Sequence, residues 1–410
     1  MLQKGIFFKS LSAILTFVIV SAVTLTAVAN PVIPIATQPQ PVITPSTPNI
    51  DAKGYIILDA NSGKIIADKN SNMRMAPASL TKLMTMYVIS NALKAGTIHL
   101  DDKVRVSEKA WRTGGSRMFI KVNDEVPVRD LLQGIVVASG NDASVAMAEY
   151  LGGTEDAFAS MMNAQAKYIG MNDSHFVDSN GLPNPNHYST PHDLALLAQA
   201  IIKNFPEDYK LYSEKWFNYN NIRQPNRNRL LWSYQYADGL KTGHTDEAGF
   251  CLVASAMKDG TRLISVVMGA PNDHSRTEDS IRLLTFGFRF YETHKLYSAT
   301  KPLVQARVWK GEKRQVPLGL ATDLYVTMPS GQYKNVQAKL KLNEPIKAPI
   351  VKGQAYGTLD IMLNGQVLAS QPLIALDSDN QGGIWRSMSD TLNFSFNKLF
   401  SRSDEKANNG

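Results

Sequence analysis

The chain has 410 residues, of which 44% are hydrophobic and 19% are charged, and its formal net charge is +7. A chain of this length and composition is typical of a globular protein with two or three domains. The positive charge favours anionic partners such as phospholipid headgroups or wall polymers. No stripe of Lys and Arg and no RNA-binding motif accompanies it, so the sequence argues against a nucleic-acid partner.

Residues 1–29 are typical of a cleavable export signal. Two lysines precede an apolar run from Leu11 to Ala29, and its last three residues, Ala-Val-Ala, fit signal-peptidase cleavage. An uncleaved anchor is the alternative, because the run is nearly long enough to span a bilayer. Residues 30–50 are rich in Pro and Thr and are predicted to form an extended linker.

Residues 51–296 are predicted to form an α+β domain, an antiparallel sheet with helices and a helical subregion. A β-hairpin opens it around Asn61-Ser62-Gly63. Helical periodicity then covers Leu80–Leu93, Val128–Val137, Ala143–Leu151, Asp156–Ile169 and Pro191–Ile202. Strand-like runs return at Leu240–Thr245, Gly249–Ala256 and Arg262–Met268, the last two joined by the hairpin pair Asp259-Gly260. The sheet is therefore expected to close with its last strands.

Two further segments follow. Residues 301–376 contain short alternating runs and the turn pair Asn364-Gly365, which predicts a small all-β domain without a catalytic role. In residues 382–402, apolar side chains recur at spacings of three and four, at Ile384, Trp385, Met388, Leu392, Phe396 and Leu399. They predict an amphipathic helix bound to the membrane surface, which places the exported protein on the periplasmic face of the cytoplasmic membrane. A helix docked on the protein's own core is the alternative.

The side chains that could bind a metal or form a disulfide give a simple prediction. The single cysteine, Cys251, lies in an apolar run and is predicted to be a buried small side chain. The seven histidines form no closely spaced ligand set. The sequence therefore indicates no disulfide, no metal and no other cofactor.

One motif can carry nucleophilic chemistry. Ser79-Leu80-Thr81-Lys82 begins a predicted helix, so the hydroxyl and the amine lie one turn apart on the same face. A lysine can act as the base for a serine if burial or nearby positive charge destabilises its ammonium form. Four other S-x-x-K pairs exist, starting at Ser255, Ser298, Ser395 and Ser403. Ser79 is selected because Ser139-Gly140-Asn141 and then Lys241-Thr242-Gly243 follow it.

This triple of motifs resembles the penicillin-binding protein and serine β-lactamase superfamily. The surrounding residues, 76–85, 138–143 and 241–245, are similar to those of low-molecular-weight D-alanyl-D-alanine carboxypeptidases of the penicillin-binding protein 5 type. That family carries a transpeptidase-like α+β domain, a β-rich second domain and a C-terminal amphipathic anchor. The resemblance therefore covers nearly the whole mature chain, and it implies peptidoglycan pentapeptide stems as substrate and β-lactams as covalent inhibitors.

The resemblance also implies a role for each motif residue. Ser79 is the acylated nucleophile and Lys82 its general base. Ser139 and Asn141 form the second wall of the cleft, relaying a proton and holding the substrate amide. Lys241 and Thr242, on an edge strand, meet the terminal carboxylate of the substrate.

Four further residues are expected near the substrate. A side chain at Gly243 would obstruct the approach of substrate to the strand. The backbone N–H groups of Ser79 and His244 are expected to form the oxyanion hole. Arg227 and Arg276 match segments near the cleft of the family and could bind a carboxylate, although solvated surface charge is an equal alternative for both.

Other functions compete with the carboxypeptidase. A β-lactamase shares the motifs, but class A enzymes deacylate with a glutamate, and no Glu occurs between Glu155 and Glu207. A transpeptidase or endopeptidase of the superfamily is the next alternative, against which the second domain and the terminal helix argue. An inactive wall-binding scaffold would belong to a different class, and the three intact motifs argue against it. The sequence gives no indication of oligomeric state.

Overall fold

The computed structural model describes residues 46–383. The predicted export signal and most of the linker lie outside this range, as does the predicted terminal helix apart from Gly382 and Gly383. Among the described residues, no helix combines the length and the apolar character needed to cross a membrane.

The first domain is built on a five-stranded antiparallel sheet. The strands of the domain, including two separate two-stranded sheets, β3-β4 and β5-β6, are β1 (Gly54–Asp59), β2 (Ile65–Lys69), β3 (Lys103–Arg105), β4 (Glu125–Pro127), β5 (Trp216–Tyr219), β6 (Ile222–Pro225), β7 (Ala237–Thr245), β8 (Gly249–Lys258) and β9 (Thr261–Ala270). The sheet order is β2-β1-β9-β8-β7, so the first hairpin pairs with the last strand, as predicted. β7 lies at the edge, where one side of its backbone is open to a ligand.

Helices cover both faces of this sheet. They are α1 (Lys82–Lys94), α2 (Glu108–Arg112), α3 (Val128–Val136), α4 (Asn141–Gly152), α5 (Glu155–Ile169), α6 (Pro191–Asn204), α7 (Pro206–Tyr209), α8 (Leu230–Ser233) and α9 (Asp273–Phe290). In β1, Ile56 and Leu58 join the core on the side of α1, α4 and α6, whereas Tyr55 and Ile57 join the core on the side of α9. Because the strand is buried on both faces, its sequence is continuously apolar.

The five helices predicted in the middle of the domain are present, but α9 was not predicted. It packs against β8 and β9, and its buried face includes Arg276, Thr277, Asp279 and Ser280 as well as leucines. These polar residues interrupt the apolar periodicity by which an amphipathic helix is identified. Asn272 caps the helix by accepting a hydrogen bond from the backbone N–H of Ser275.

The second domain is all β, as predicted. It comprises β10 (Tyr291–Tyr297), β11 (Val304–Arg307), β12 (Gln315–Gly319), β13 (Leu324–Pro329), β14 (Val336–Leu342), β15 (Ala355–Leu363) and β16 (Gln366–Ala375). A sheet in the order β11-β12-β16-β15-β14 packs with the pair β10-β13. β10 falls within the range expected for the first domain, yet it pairs with β13.

Hydrogen bonds join the two domains beside the first hairpin. The buried Asp59 accepts a hydrogen bond at 2.8 Å from the hydroxyl of Thr293 on β10. Its other carboxylate oxygen accepts from the backbone N–H groups of Asn61 and Ser62 in the β1–β2 turn. The hydroxyls of Ser62 and Thr327 lie 2.6 Å apart. One buried carboxylate thus shapes the turn and binds the second domain to it.

Candidate active site

Ser79 lies within a short 3-10 turn over Ala78–Thr81, and Lys82 is the first residue of α1. The Lys82 amine lies 3.0 Å from Ser79 Oγ, as the spacing of the motif predicts. It also donates to Asn141 Oδ1 at 2.7 Å and to the carbonyl oxygen of Asn180 at 2.8 Å. Three contacts therefore hold a buried amine against a half-buried hydroxyl.

Burial is the main reason that the pKa of Lys82 falls from 10.5 to about 7. The carboxylates of Asp178 and Asp142 oppose this fall, and the charge of Arg227 adds to it. An amine with a pKa near 7 is substantially neutral at physiological pH, and only a neutral amine can accept a proton from serine. Lys82 is therefore buried as a lysine that acts as a base for serine must be.

The second motif forms the opposite wall of the cleft. Ser139 has a left-handed backbone conformation, with φ of 60°, immediately before α4. Its hydroxyl accepts a hydrogen bond at 2.8 Å from Lys241. The Asn141 amide donates to the carbonyl oxygen of Gly114 at 2.7 Å. Because an NH₂ group has two donors, this contact leaves one for a substrate.

Lys241 belongs to the edge strand β7 and is fully enclosed. Burial lowers its pKa well below the usual value, and the charges of Lys82, Arg227 and Arg276 lower it further. A charge on Lys82 thus makes it harder for Lys241 to hold a proton. Lys241 bonds to Ser139 and so connects the edge strand to the second wall.

The structure gives a different reason for glycine at position 243 from the one that the sequence suggested. A methyl group there would lie 2.8 Å from the carbonyl oxygen of Pro77 and 3.2 Å from the backbone nitrogen of Leu80. The position therefore faces the turn that carries Ser79, and the absent side chain lets that turn approach β7. The expectation that a side chain at Gly243 would obstruct the substrate stays a prediction.

A cleft of about 500 Å³ runs between these elements. It is lined by Ser79, Ser116, Ser139, Gln224, Pro225, Asn226, Arg227, Arg229, Thr242, Gly243, His244, Phe250, Asp273 and Arg276. Lys82 and Lys241 lie behind this surface and donate hydrogen bonds to Ser79 and Ser139, respectively. Asn141 lies behind it as well and accepts a hydrogen bond from Lys82. All ten residues expected at the site therefore come together.

The two arginines differ in their surroundings. Arg276 is buried, donates to the carbonyl oxygens of Gly243 and Cys251, and pairs with Asp273, so it is not a solvated surface charge. Arg227 is exposed, and its Nε donates to the carbonyl oxygen of Ala138 at 3.2 Å, next to Ser139. Arg276 thus supports the edge strand, whereas Arg227 presents its charge to the cleft.

A loop that the sequence analysis did not single out completes the site. Asp178 accepts hydrogen bonds from the backbone N–H groups of Asn180 and Gly181 at 2.9 and 2.6 Å, and the carbonyl of Asn180 holds Lys82. Asp178 also lies 3.4 Å from His187, whose other ring nitrogen is 2.8 Å from the hydroxyl of Thr81. The contact to Lys82 is made by a backbone atom, which leaves no residue-type signal in the sequence.

Cys251 is buried and unpaired, and burial raises the pKa of its thiol to about 11. Across residues 46–383, no three His, Cys, Asp or Glu side chains are grouped so that they could hold a metal ion.

A serine activated by a buried lysine, facing an edge strand that carries a second buried lysine, defines the class of active-site-serine acyl-transfer enzymes that react with penicillin. Residues 41–272 match the family described as Peptidase_S11, D-alanyl-D-alanine carboxypeptidase, and residues 291–381 match the penicillin-binding protein 5 C-terminal domain. The chain belongs to this carboxypeptidase family.

Individual relatives agree with this assignment. The chain is 44% identical to the D-alanyl-D-alanine carboxypeptidase DacC of Escherichia coli over 87% of this chain and 91% of that protein. The structure of penicillin-binding protein 5 from Haemophilus influenzae is similar with a TM-score of 0.79 and 42% identity, covering 82% of this chain and 99% of that one. Penicillin-binding protein D2 from Listeria monocytogenes in its ampicillin-bound form is similar with a TM-score of 0.55 and 31% identity, over 60% of this chain and all of that one (100%).

Proposed function

We propose that this chain is a serine-type D-alanyl-D-alanine carboxypeptidase that removes the terminal D-alanine from peptidoglycan pentapeptide stems. The observation that carries the proposal is the 3.0 Å contact between Ser79 Oγ and the Lys82 amine, whose pKa burial lowers to about 7. Family membership and the names of the close relatives support the same substrate class.

Acylation follows from the contacts. Lys82 takes the proton of Ser79 as Oγ attacks the carbonyl carbon of the penultimate D-alanine. The negative charge on the carbonyl oxygen is stabilised by the backbone N–H groups of Ser79 and His244. The tetrahedral intermediate collapses as the C–N bond breaks, and the departing amine takes a proton from Lys82, relayed by Ser139. Water then hydrolyses the ester in the reverse sense and restores Ser79.

The cleft also explains recognition of a free C-terminus. Thr242 and Arg227 line the cleft, and the exposed guanidinium of Arg227 supplies positive charge for the carboxylate of the leaving D-alanine. A carboxylate bound beside this cation requires the scissile bond to be the last one of the peptide, because an extended chain would place a neutral amide there.

Replacement of Ser79 by Ala tests the assignment. We expect Ser79→Ala to abolish both D-alanine release from a synthetic peptide ending in D-Ala-D-Ala and covalent labelling by a fluorescent penicillin. Ser298→Ala is the matched control, since Ser298 also begins an S-x-x-K pair but lies next to β10 in the second domain. Release of D-alanine by folded Ser79→Ala protein would refute the proposal, and labelling by neither variant nor wild type would favour an inactive scaffold.

β-Lactams are expected to acylate Ser79, and the resulting ester is expected to hydrolyse slowly. The ampicillin-bound relative supports the first step. The second step needs a base that activates water. Among the described residues that line the cleft, the carboxylate is that of Asp273, and it is already paired with Arg229 and Arg276. A paired carboxylate is a poor base for water, so the geometry favours a carboxypeptidase over a β-lactamase.

The location of the protein is a separate part of the proposal. The apolar run before Ala29 and the spacing of apolar residues in 382–402 support export, removal of the signal and attachment to the periplasmic face of the cytoplasmic membrane. A protein truncated after Gln381 should be recovered in the soluble fraction and still release D-alanine. Retention of the truncated protein on membranes would refute the terminal anchor, and sequencing of its N-terminus would show whether the signal remains.

A further inference from the structure

The turn that carries Ser79 has a strained backbone. Ala78, immediately before the nucleophile, has φ of 47°, in the left-handed region that residues with a Cβ rarely occupy. Such a conformation costs free energy and persists only where the surrounding structure holds it. Gly181, from a loop later in the chain, lies so close to this turn that a methyl group there would overlap the carbonyl oxygen of Ala78. The contacts between that loop and the turn therefore help to decide where the Ser79 hydroxyl lies.

This loop, residues 178–187, also bonds to the residues that follow the turn. The carbonyl oxygen of Asn180 accepts a hydrogen bond from the Lys82 amine at 2.8 Å. The carbonyl oxygen of Ser179 accepts one from the hydroxyl of Thr85 at 2.6 Å. All four residues are buried, so water does not compete for these contacts. The position of the loop thus bears directly on the position of the Lys82 amine.

One peptide unit connects Asp178 to Lys82. The carboxylate of Asp178 accepts a hydrogen bond from the backbone N–H of Gly181 at 2.6 Å. That N–H and the carbonyl of Asn180 belong to the same planar trans peptide, so they point in opposite directions. Asp178 on one side and Lys82 on the other therefore fix the peptide between them.

His187 connects Asp178 to the turn that carries Ser79. Its imidazole is buried, and Nε2 lies 2.8 Å from the hydroxyl of Thr81. Nδ1 lies 3.4 Å both from a carboxylate oxygen of Asp178 and from the backbone nitrogen of Val177. Because a hydrogen bond to an ionised acceptor is the stronger of the two, we assign a proton to Nδ1. In the neutral ring Nε2 is then an acceptor, and the Thr81 hydroxyl donates to it.

We propose that His187 is a positioning residue that holds the loop and the Ser79 turn in a fixed relation. It thereby keeps the Lys82 amine at 3.0 Å from Ser79 Oγ. The inference rests on the acyl-transfer step of the proposed function. His187 does not touch the substrate, since it is buried outside the lining of the cleft. It acts with one ring nitrogen through the loop and with the other through the turn, and loss of either contact lets the base and the nucleophile move apart.

Acylation by a fluorescent penicillin tests this role. Stopped-flow measurements separate the dissociation constant of the non-covalent complex from the rate constant of acylation, k2. His187→Phe keeps a ring but removes both nitrogens, and Thr81→Val removes the hydroxyl. Each variant should lower k2 by about tenfold, which is the effect of losing one buried hydrogen bond. The dissociation constant should stay unchanged, because neither residue lines the cleft.

A double variant and two further variants distinguish positioning from a general loss of packing. If the contact between the two side chains carries the effect, His187→Phe combined with Thr81→Val should lower k2 about tenfold, as each single variant does, and not about a hundredfold. Thr81→Ser keeps the hydroxyl and should retain a k2 close to that of wild type. His175→Gln is the matched control, because His175 is an exposed histidine that flanks the same loop and bonds to the carbonyl oxygen of Asn186. Its k2 should not change.

The outcomes also distinguish this inference from the proposed function. Wild-type k2 in both single variants, multiplied losses in the double variant, a change confined to the dissociation constant, or a loss in Thr81→Ser as large as in Thr81→Val would overturn the inference. If thermal unfolding shows that His187→Phe does not fold, Thr81→Val and Thr81→Ser decide by themselves. Wild type that is labelled by penicillin but releases no D-alanine would refute the carboxypeptidase and leave the inference in place. Absence of labelling of wild type would refute both.

Discussion

The acid limb of the pH–rate profile tests the role of Lys82 as base. Only the neutral amine can take the proton of Ser79, so kcat/KM should fall about tenfold for each pH unit below the pKa of that amine. Because burial lowers this pKa to about 7, the wild-type limb should lie near that pH. Asp178 is the carboxylate that most strongly opposes the fall, and Asp142 and Arg227 act in opposite senses beside it.

Asp178→Asn should shift this limb, because it removes a charge with little change in the shape of the side chain. An asparagine oxygen can still accept the N–H bonds of Asn180 and Gly181, but the charge is gone. Asn180 connects Asp178 to Lys82. Its backbone N–H donates to the Asp178 carboxylate at 2.9 Å, and its carbonyl oxygen accepts from the Lys82 amine at 2.8 Å. The charges are therefore roughly 9 Å apart at most, which at an effective dielectric constant of about 20 gives about 2 kcal/mol. Loss of this attraction destabilises the ammonium, so the limb should move to lower pH by about one and a half units.

The assay is kcat/KM for D-alanine release between about pH 5 and pH 9. Asp173→Asn is the control, since Asp173 is an exposed carboxylate on the same loop, paired with Arg74, and the limb should stay in place. A limb that stays in place in Asp178→Asn, or that moves to higher pH, would refute the electrostatic argument. A uniform loss of rate at every pH would mean that Asp178 only holds the loop.

Three further predictions concern other parts of the molecule. Gly243→Ala should slow acylation by labelled penicillin about ten- to a hundredfold, because the methyl group displaces the Ser79 turn; wild-type rates would contradict the close contact with Pro77. The penicilloyl adduct should persist far longer than on a dedicated β-lactamase, as followed by mass spectrometry, and rapid release would point to a water-activating base in the cleft. Ile361→Ala, in the second core, should lower the free energy of unfolding by about 2–5 kcal/mol in a denaturant titration, with acylation of folded protein retained; an unchanged stability would mean that the side chain is not enclosed.

Local patterns determined much of this protein. The β1–β2 and β8–β9 hairpins, five helices and the all-β character of the second domain follow from turn pairs and periodicity, because these depend on neighbouring residues. The turn Asp259-Gly260 has both residues at positive φ, 49° and 80°, as its sequence predicts. The three motifs in order identified the family and seven of the ten residues that meet at the cleft. The other three, His244, Arg227 and Arg276, followed from the resemblance of segments outside the motifs.

Only the tertiary structure decided the rest. Ser255 begins an S-x-x-K pair by sequence, but it lies buried on β8 and is bound to Arg262, so its environment excludes the chemistry that spacing alone allows. α9 remained hidden because its buried polar side chains find partners in the fold. The carbonyl of Asn180 at Lys82 and the space that Gly243 leaves for Pro77 depend on backbone atoms far apart in the chain. Side-chain type reports local preference, whereas burial and backbone contacts exist only once the chain has folded.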